Sequence, residues 1–246
     1  FDMNMFSRGE YVKATSAKAM AESISKVLYP ADNHYEGKSL RLKQQYFFVS
    51  ASMQSIIKRH LRTNPSLDNL GECVAIHIND THPTLCIPEP MRILLDEYGY
   101  SWEKAWKIAT ETISYTNHTV MAEALETWPQ DLFQNLLPRI FQIVNEINQR
   151  FCKELWEFYP NDWSKVSANA ILSNMQVKMA NLCLATSHTI NGVSKLHSNI
   201  LKDEVFNDYF RMHPEKFTNV TNGITHRRWV DQANPGLASL INDLIG

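Results

Sequence analysis

The chain has 246 residues, 44% of them hydrophobic, and this length suits one large domain or parts of two. Its 24 basic and 26 acidic residues give a net charge of −2, which argues against a nucleic-acid-binding protein and against one held on anionic lipid. The longest stretch without a charged residue, residues 179–194, is too short and too polar to span a membrane.

The first half of the chain contains two predicted helices separated by a predicted strand. The first helix carries apolar side chains at intervals of four and three, at Leu42, Tyr46, Val49, Met53 and Ile56. A strand follows, in which apolar residues alternate with others over residues 74–78, and it ends at Asp80. The second helix has Ser101 as its predicted N-cap and its apolar face at Trp102, Trp106, Ala109 and Ile113.

A second strand is predicted over residues 113–116, directly before the polar segment Asn117-His118-Thr119. The next helix is the longest, with Pro138 in its first turn and an apolar face at Leu137, Phe141, Val144, Ile147, Phe151 and Leu155. Two more strands are predicted over residues 188–193 and 217–220, and a last helix begins near Pro235. Linkers are expected at residues 62–69 and 222–234.

Strands that alternate with helices indicate a parallel sheet, so we predict a helix-rich α/β fold. Ligands of such sheets bind beyond the carboxyl ends of the strands. The segments in these places are rich in Asn, Thr, His and Asp, and they contain almost no Lys or Arg before Arg227. Amide, hydroxyl and imidazole groups can both donate and accept hydrogen bonds, which favours a polyhydroxylated ligand.

Other signatures are absent from the sequence. It contains no glycine-rich phosphate loop, no H-E-x-x-H and no G-x-S-x-G motif. Its four cysteines, Cys73, Cys86, Cys152 and Cys183, form no Cys-x-x-Cys pair. This usage predicts reduced thiols in a cytoplasmic protein, without a metal site.

Each polar residue after a strand also has a purely structural interpretation. Asp80 could cap a helix or bond its own loop, and His118 could be a satisfied interior histidine. Asn222 and Gly223 could form an ordinary tight turn. The remaining histidines near the strands are interpreted as structural: His77, His188 and His197.

Several segments, in order along the chain, resemble signature segments of the α-glucan phosphorylases, the family of glycogen, starch and maltodextrin phosphorylase. They are Tyr29-Pro30-Ala31-Asp32-Asn33, Glu36-Gly37-Lys38-Ser39-Leu40-Arg41, Asn79-Asp80-Thr81-His82-Pro83, Tyr115-Thr116-Asn117-His118-Thr119-Val120, Glu123-Ala124-Leu125-Glu126, Glu146-Ile147-Asn148-Gln149-Arg150-Phe151, Ser187-His188-Thr189-Ile190-Asn191-Gly192-Val193 and Thr221-Asn222-Gly223-Ile224-Thr225. A single short match would be weak support for this family. Matches that occur in the same order over essentially the whole chain are far more specific for it.

The resemblance implies a two-domain glycosyltransferase of the GT-B type, built from Rossmann-like domains that face each other across a cleft. Residues 1–222 would form the C-terminal part of the N-terminal domain. Residues 223–246 would form the interdomain segment and the start of the C-terminal domain. The chain begins with Phe1 and ends after a helical pattern, so we expect it to be an internal piece that is inactive alone.

The activity implied by the resemblance is reversible phosphorolysis. Orthophosphate would cleave terminal α-1,4-linked glucosyl units of a glucan to give glucose 1-phosphate. The family uses pyridoxal phosphate, bound to a lysine of the C-terminal domain that is not in this chain. The intact enzyme is expected to be a cytoplasmic homodimer that binds neither nucleic acid nor membrane.

The resemblance assigns catalytic roles to His118 and Asp80. His118 and Asn222 would hold the 6-hydroxyl of the transferred glucosyl unit, the histidine partly through its backbone carbonyl. Asp80 and His82 would line the pocket beside that sugar.

Four further substrate-binding residues follow from the same resemblance. Asp32 and Asn33 would lie in a mobile loop that gates the cleft, Arg41 would follow this loop into the pocket, and Glu126 would form the outer wall of the pocket. No residue of the chain is assigned to cofactor or metal binding.

Regulation and substrate preference stay open at this point. Lys58 and Arg59 stand where nucleotide-regulated members have activator-binding arginines, and the preferred glucan is not readable. Two other functions are compatible with the architecture: a nucleotide-sugar-dependent glucan synthase, and a carbohydrate-binding piece without catalytic activity.

Overall fold

The computed structural model describes residues 1–246. Its helices are α1 (Met3–Ser7), α2 (Tyr11–Lys26), α3 (Tyr35–His60), α4 (Leu70–Cys73), α5 (Pro88–Arg92), α6 (Trp102–Thr112), α7 (Gln130–Leu136), α8 (Pro138–Phe158), α9 (Trp163–Asn169), α10 (Met179–Thr186), α11 (Lys195–Ile200), α12 (Asn207–Met212), α13 (His226–Ala233) and α14 (Pro235–Ile245). Its strands are β1 (Ile76–Asn79), β2 (Ile113–Asn117), β3 (Thr127–Pro129), β4 (Leu172–Ser173), β5 (Gln176–Lys178), β6 (Ile190–Gly192) and β7 (Phe217–Asn219). None of the helices has the length and hydropathy that a membrane crossing requires.

The four predicted strands form one parallel sheet in the order β1-β2-β6-β7. Ile78 lies opposite Tyr115, Tyr115 opposite Ile190, and Ile190 opposite Phe217. Helices lie between consecutive strands along the chain, as parallel pairing requires. The prediction of a helix-rich α/β fold is therefore confirmed.

The three long predicted helices turn the faces that their spacing indicated toward the core, and part of each face is buried. On α6 only Ala109 of the predicted face is a buried helical residue, because Trp102 and Trp106 are half-buried and Ile113 already belongs to β2. On α3 the side chains of Leu42, Val49 and Met53 are buried, and on α8 the buried set runs from Ile140 to Leu155. Helix α6 begins as predicted, because the Ser101 hydroxyl accepts a hydrogen bond from the backbone N–H of the third helical residue. These faces join the sheet in one hydrophobic core.

A second, antiparallel sheet was not predicted. It has the order β3-β5-β4, and Trp128 of β3 lies opposite Val177 of β5. Strands of two or three residues are too short to show the alternation on which a prediction depends. The β4–β5 hairpin turns through Asn174 and Met175, both with positive φ, and sequence reasoning expects Gly or Asn rather than Met at such a position.

The prediction of a linker at residues 62–69 is wrong. Leu67 is buried in the core, and the His60 ring forms hydrogen bonds with the Ser66 carbonyl and the Asn69 side chain. The segment is thus a loop of the same core. In the other predicted linker, residues 226–233 form α13, and neither α13 nor α14 contains a buried residue. The assignment of residues 223–246 to a second domain stays a prediction.

Candidate functional site

The carboxyl edge of the parallel sheet carries residues that follow its strands. His118 comes directly after β2, and its Nε2 lies 2.6 Å from the side-chain oxygen of Asn79 at the end of β1. Asn222 follows β7, and its backbone N–H donates to the carbonyl of Val193, just after β6. The sheet therefore brings the segments of His118 and Asn222 to the same edge.

Neither of these two residues fits its purely structural interpretation. His118 is exposed, so it is not an interior histidine. Asn222 is also exposed, and Gly223 does not have the positive φ that would require a glycine in a tight turn. The side chain of Asn222 forms no hydrogen bond, which leaves its amide free to contact a ligand.

One carboxylate oxygen of Asp80, directly after β1, contacts its own loop, and the other faces His82. Its backbone has a φ of 64°, which is tolerated by Asp, and one carboxylate oxygen accepts the backbone N–H of Thr81. The other oxygen lies 3.7 Å from Nε2 of His82. The expected bond to its own loop is present, and the carboxylate also faces His82.

Arg41 holds a second group of predicted residues together. Its guanidinium lies 3.5 Å from Oε2 of Glu126 and 3.7 Å from Oδ2 of Asp32, and it lies 3.2 Å from Nδ1 of His82. The same guanidinium lies over the ring of Tyr29, 5.2 Å from its centre. Helix α3 thus connects the loop of Asp32 to the segment after β1.

Glu126 is the most buried carboxylate of this cluster, with a side chain only 14% exposed. Its burial raises its pKa, although Gln45, Arg41 and His82 act in the opposite direction. Gln45 donates to Oε2 of Glu126 at 3.1 Å, and Oε1 of Glu126 is buried without a hydrogen-bond partner. Glu126 therefore lies in the interior of the cluster, whereas the resemblance placed it on an outer wall.

We expect Glu126→Gln to stabilise the chain, relative to wild type, increasingly as the pH rises from about 4.5 through the raised folded-state pKa of Glu126. A carboxyl group with a raised folded-state pKa contributes most to stability at low pH, and this contribution is lost as the pH rises through that pKa. Urea unfolding of both chains at several pH values measures the difference. Glu123→Gln, at an exposed position, controls for the loss of charge. A difference that stays constant over this range would contradict the prediction.

A cavity of 310 Å³ opens beside Arg41 and His82. Its other lining residues are Leu28, Tyr29, Gln44, Gln45, Phe48 and Pro83. Asn33 is exposed and lies outside these contacts. The structure thus brings Asp32, Arg41, His82 and Glu126 together, whereas it leaves Asn33 apart from them.

A comparison with models of protein families matches residues 1–246 to the carbohydrate phosphorylases. The chain belongs to the carbohydrate phosphorylase family. It is 54% identical to glycogen phosphorylase of Bacillus subtilis over 231 residues, which cover 94% of the chain and 29% of that protein. It is 48% identical over its full length to the muscle form of glycogen phosphorylase from Bos taurus, of which it covers 30%. The chain therefore spans 29–30% of the length of these relatives.

In this phosphorylase chain, sequence reasoning missed Gln45. The residue follows Arg41 by one helical turn, and residues four apart lie on the same face of a helix. That spacing could have indicated a shared site. Its contact with Glu126 joins residues 81 positions apart, which no local pattern reveals.

The residues of the site do not by themselves fit pyridoxal phosphate. The only cation among them is Arg41, which already lies between the carboxylates of Asp32 and Glu126, and no lysine lines the cavity beside it. A phosphate group would add a third negative charge there. No group of three or more metal-ligating side chains is arranged to hold an ion.

Proposed function

We propose that the whole protein to which these residues contribute is an α-glucan phosphorylase. It transfers terminal α-1,4-linked glucosyl units to orthophosphate and releases glucose 1-phosphate, in a reversible reaction. The observation that carries the proposal is the convergence of Asp80, His118 and Asn222 at one edge of a parallel sheet, in a chain matched over its full length by the carbohydrate phosphorylases.

His118 and Asn222 are proposed to hold the 6-hydroxyl of the transferred glucosyl unit. A hydroxyl group needs both a donor and an acceptor, and the Asn222 amide supplies both. The His118 carbonyl is proposed to face the sugar, where it would stabilise the positive charge that develops as the glycosidic bond breaks. The exposed position of both residues supports this, because their polar groups are open to a ligand.

Asp80 and His82 are proposed to line the pocket beside that sugar, with Asp80 acting catalytically. Their mutual contact at 3.7 Å would orient the imidazole toward the bound ligand. Glu126 is proposed to contribute to the same pocket through His82 and Arg41, from its buried position.

The loop of Asp32 and Asn33 is proposed to gate the site. It is anchored where Arg41 approaches Asp32 and where the backbone of Ala31 packs on Gly37. A Cβ at Gly37 would overlap the Ala31 carbonyl, so any side chain there would displace the loop. The two anchored residues, Ala31 and Asp32, directly precede the exposed Asn33, which is proposed to reach a substrate.

The proposal extends to features of the whole enzyme. We assign it pyridoxal phosphate as cofactor, a homodimeric state and a cytoplasmic location. Residues 1–222 are assigned to its N-terminal domain and residues 223–246 to the beginning of the next. The four cysteines support a reducing compartment, because all of them are free thiols.

The test is an assay of the whole protein with an α-1,4-glucan and orthophosphate. We expect glucose 1-phosphate as product, and none from the 246-residue chain alone, because His118 and Asn222 lie on an open surface without a second wall to orient the reactants. Elongation of a glucan that requires a nucleotide sugar would instead indicate a synthase. Glucan binding without turnover by the whole protein would indicate a carbohydrate-binding protein.

A further inference from the structure

His197 lies in the first turn of α11, which follows β6 after the two residues Val193 and Ser194. The helix begins there because the Ser194 hydroxyl caps it by accepting the backbone N–H of His197. Gly192 allows the helix to pack closely, since a Cβ at this position would lie 2.4 Å from the Ser198 hydroxyl. The local sequence thus directs the imidazole of His197 toward the carboxyl edge of the sheet.

The hydrogen bonds of the His197 ring determine where its proton lies. The backbone N–H of Val193 donates to Nδ1 at 3.1 Å, so Nδ1 carries no proton. Nε2 lies 3.1 Å from the side-chain oxygen of Asn117 and must donate to it. Burial lowers the pKa of His197, which favours the neutral ring. The two hydrogen bonds place the single proton of that ring on Nε2.

Asn117 connects the His197 ring to the segment that contains His118 through hydrogen bonds of its side chain. Its side chain is buried, its amide group donates to the Tyr115 hydroxyl at 3.0 Å, and its oxygen accepts the backbone N–H of Thr119 at 2.9 Å. The oxygen that accepts the hydrogen bond from Nε2 of His197 therefore also accepts the backbone N–H of Thr119, the residue after His118. Both hydrogen bonds constrain the backbone from which the His118 carbonyl projects.

Val193 connects the His197 ring to the Asn222 segment through its two backbone groups. Its N–H is bound to the His197 ring, and its carbonyl accepts the backbone N–H of Asn222 at 3.1 Å. His197 thus bonds to both supporting segments, the end of β2 and the residue after β6. The Asn191 side chain forms a second link, because it donates to the Thr116 hydroxyl and accepts the backbone N–H of Val220. The backbones of β2 and β6 also pair directly here, with Asn117 opposite Gly192.

We propose that His197 is a positioning residue of the glucosyl site, which sets the spacing between His118 and Asn222 by bridging Asn117 and Val193. The inference rests on the proposed function, because it concerns the two groups assigned to the 6-hydroxyl. The sequence analysis interpreted His197 as structural. Under this proposal its hydrogen bonds hold the backbone on both sides of the glucosyl site and not the hydrophobic core.

The bridge itself is tested without any activity measurement. In the chain labelled with ¹⁵N, long-range ¹H–¹⁵N spectra at pH 7 should show His197 protonated on Nε2 and unprotonated on Nδ1. A ring protonated on Nδ1 could not accept the Val193 N–H and would overturn the proposal. His188, an exposed histidine before β6, provides a reference in the same spectrum.

The role in the reaction is tested in the whole protein by two variants that each keep one half of the bridge. In His197→Asn the side-chain oxygen can replace Nδ1, and in His197→Gln the amide can replace Nε2. Each variant should lower kcat/KM for glucose 1-phosphate about tenfold, the effect of one lost buried hydrogen bond. The loss should fall below about threefold with 6-deoxyglucose 1-phosphate, which lacks the hydroxyl that the two positioned groups contact.

The controls separate this proposal from the proposed function. His188→Gln should leave kcat/KM unchanged. If the wild-type protein produces glucose 1-phosphate but the His197 variants lose activity equally on both substrates, His197 has only a structural role and this proposal fails alone. If the wild-type protein produces no glucose 1-phosphate although the Nε2–H form is observed, the proposed function fails, and the positioning role fails with it.

Discussion

Replacing Glu89 by alanine should lower the free energy of unfolding of this chain by about 3–5 kcal/mol, the cost of removing one partner from a buried ion pair. Glu89 is fully buried at the start of α5. Its carboxylate accepts two hydrogen bonds from Arg92, both at 2.9 Å, and one each from the Tyr46 and Ser50 hydroxyls of α3. All four donors would lose this carboxylate at once, and only Arg92 has a second acidic partner.

The size of the effect follows from the burial of the network. Burial, followed by the charge of Glu89, raises the pKa of Tyr46, and the hydrogen bonds that Arg92 donates to Glu89 raise the pKa of Arg92. After the substitution, only Glu97, at 2.9 Å, would remain to pair with Arg92. Urea unfolding followed by tryptophan fluorescence at pH 7 measures the change.

Two further variants test whether the loss arises from the orphaned partners. Glu89→Leu combined with Arg92→Leu should be more stable than Glu89→Ala, because the charge that needs a partner is gone together with the carboxylate. Glu157→Ala, in an exposed pair with Lys153 at 4.0 Å, should cost less than about 1 kcal/mol. A Glu89→Ala chain that is as stable as this surface control would show that the network does not hold α5 against α3.

Glu89 also illustrates where sequence reasoning ends. It stands between two prolines in an otherwise apolar segment, and a lone charge in such a segment indicates a buried partner. The identity of the partners is not local, since Tyr46 and Ser50 lie 43 and 39 residues away. Three long helices and four parallel strands could be predicted because periodicity is a local property. The antiparallel sheet and the loop around His60 depend on contacts between distant segments.

Some residues of the candidate site could likewise be predicted from local sequence patterns, and others could not. The rule that ligands bind beyond the carboxyl ends of parallel strands selected Asp80, His118 and Asn222 from the sequence alone, and the strands do pair as that rule requires. Arg41 and Glu126 came only from the family resemblance, because no periodic pattern connects α3 with the segment before β3. The bridging role of His197 could not be seen at all without the hydrogen bonds of both ring nitrogens.

The proposed contact with the 6-hydroxyl predicts that Asn222→Ala lowers kcat/KM of the whole protein by about 5- to 150-fold. The estimate corresponds to about 1–3 kcal/mol for leaving a buried polar group unpaired, here the 6-hydroxyl of the bound glucosyl unit. The fold should tolerate the change, because Asn222 is held through its backbone N–H by the Val193 carbonyl and its side chain forms no hydrogen bond. Asn199→Ala, at an exposed position on α11, serves as the matched control and should leave activity unchanged.

The decisive measurement compares glucose 1-phosphate with its 6-deoxy analogue. A site built to hydrogen-bond a hydroxyl discriminates against a substrate that lacks it, because the polar groups of the site are then left without a partner. The substitution should therefore matter much less for the 6-deoxy substrate, whose partner group is already missing, and the two changes should be non-additive. His118 is a weaker test, since a backbone carbonyl survives truncation of its side chain. Equal losses on both substrates would mean that the Asn222 amide does not contact the 6-hydroxyl, and the residue would then serve only to connect β7 with α13.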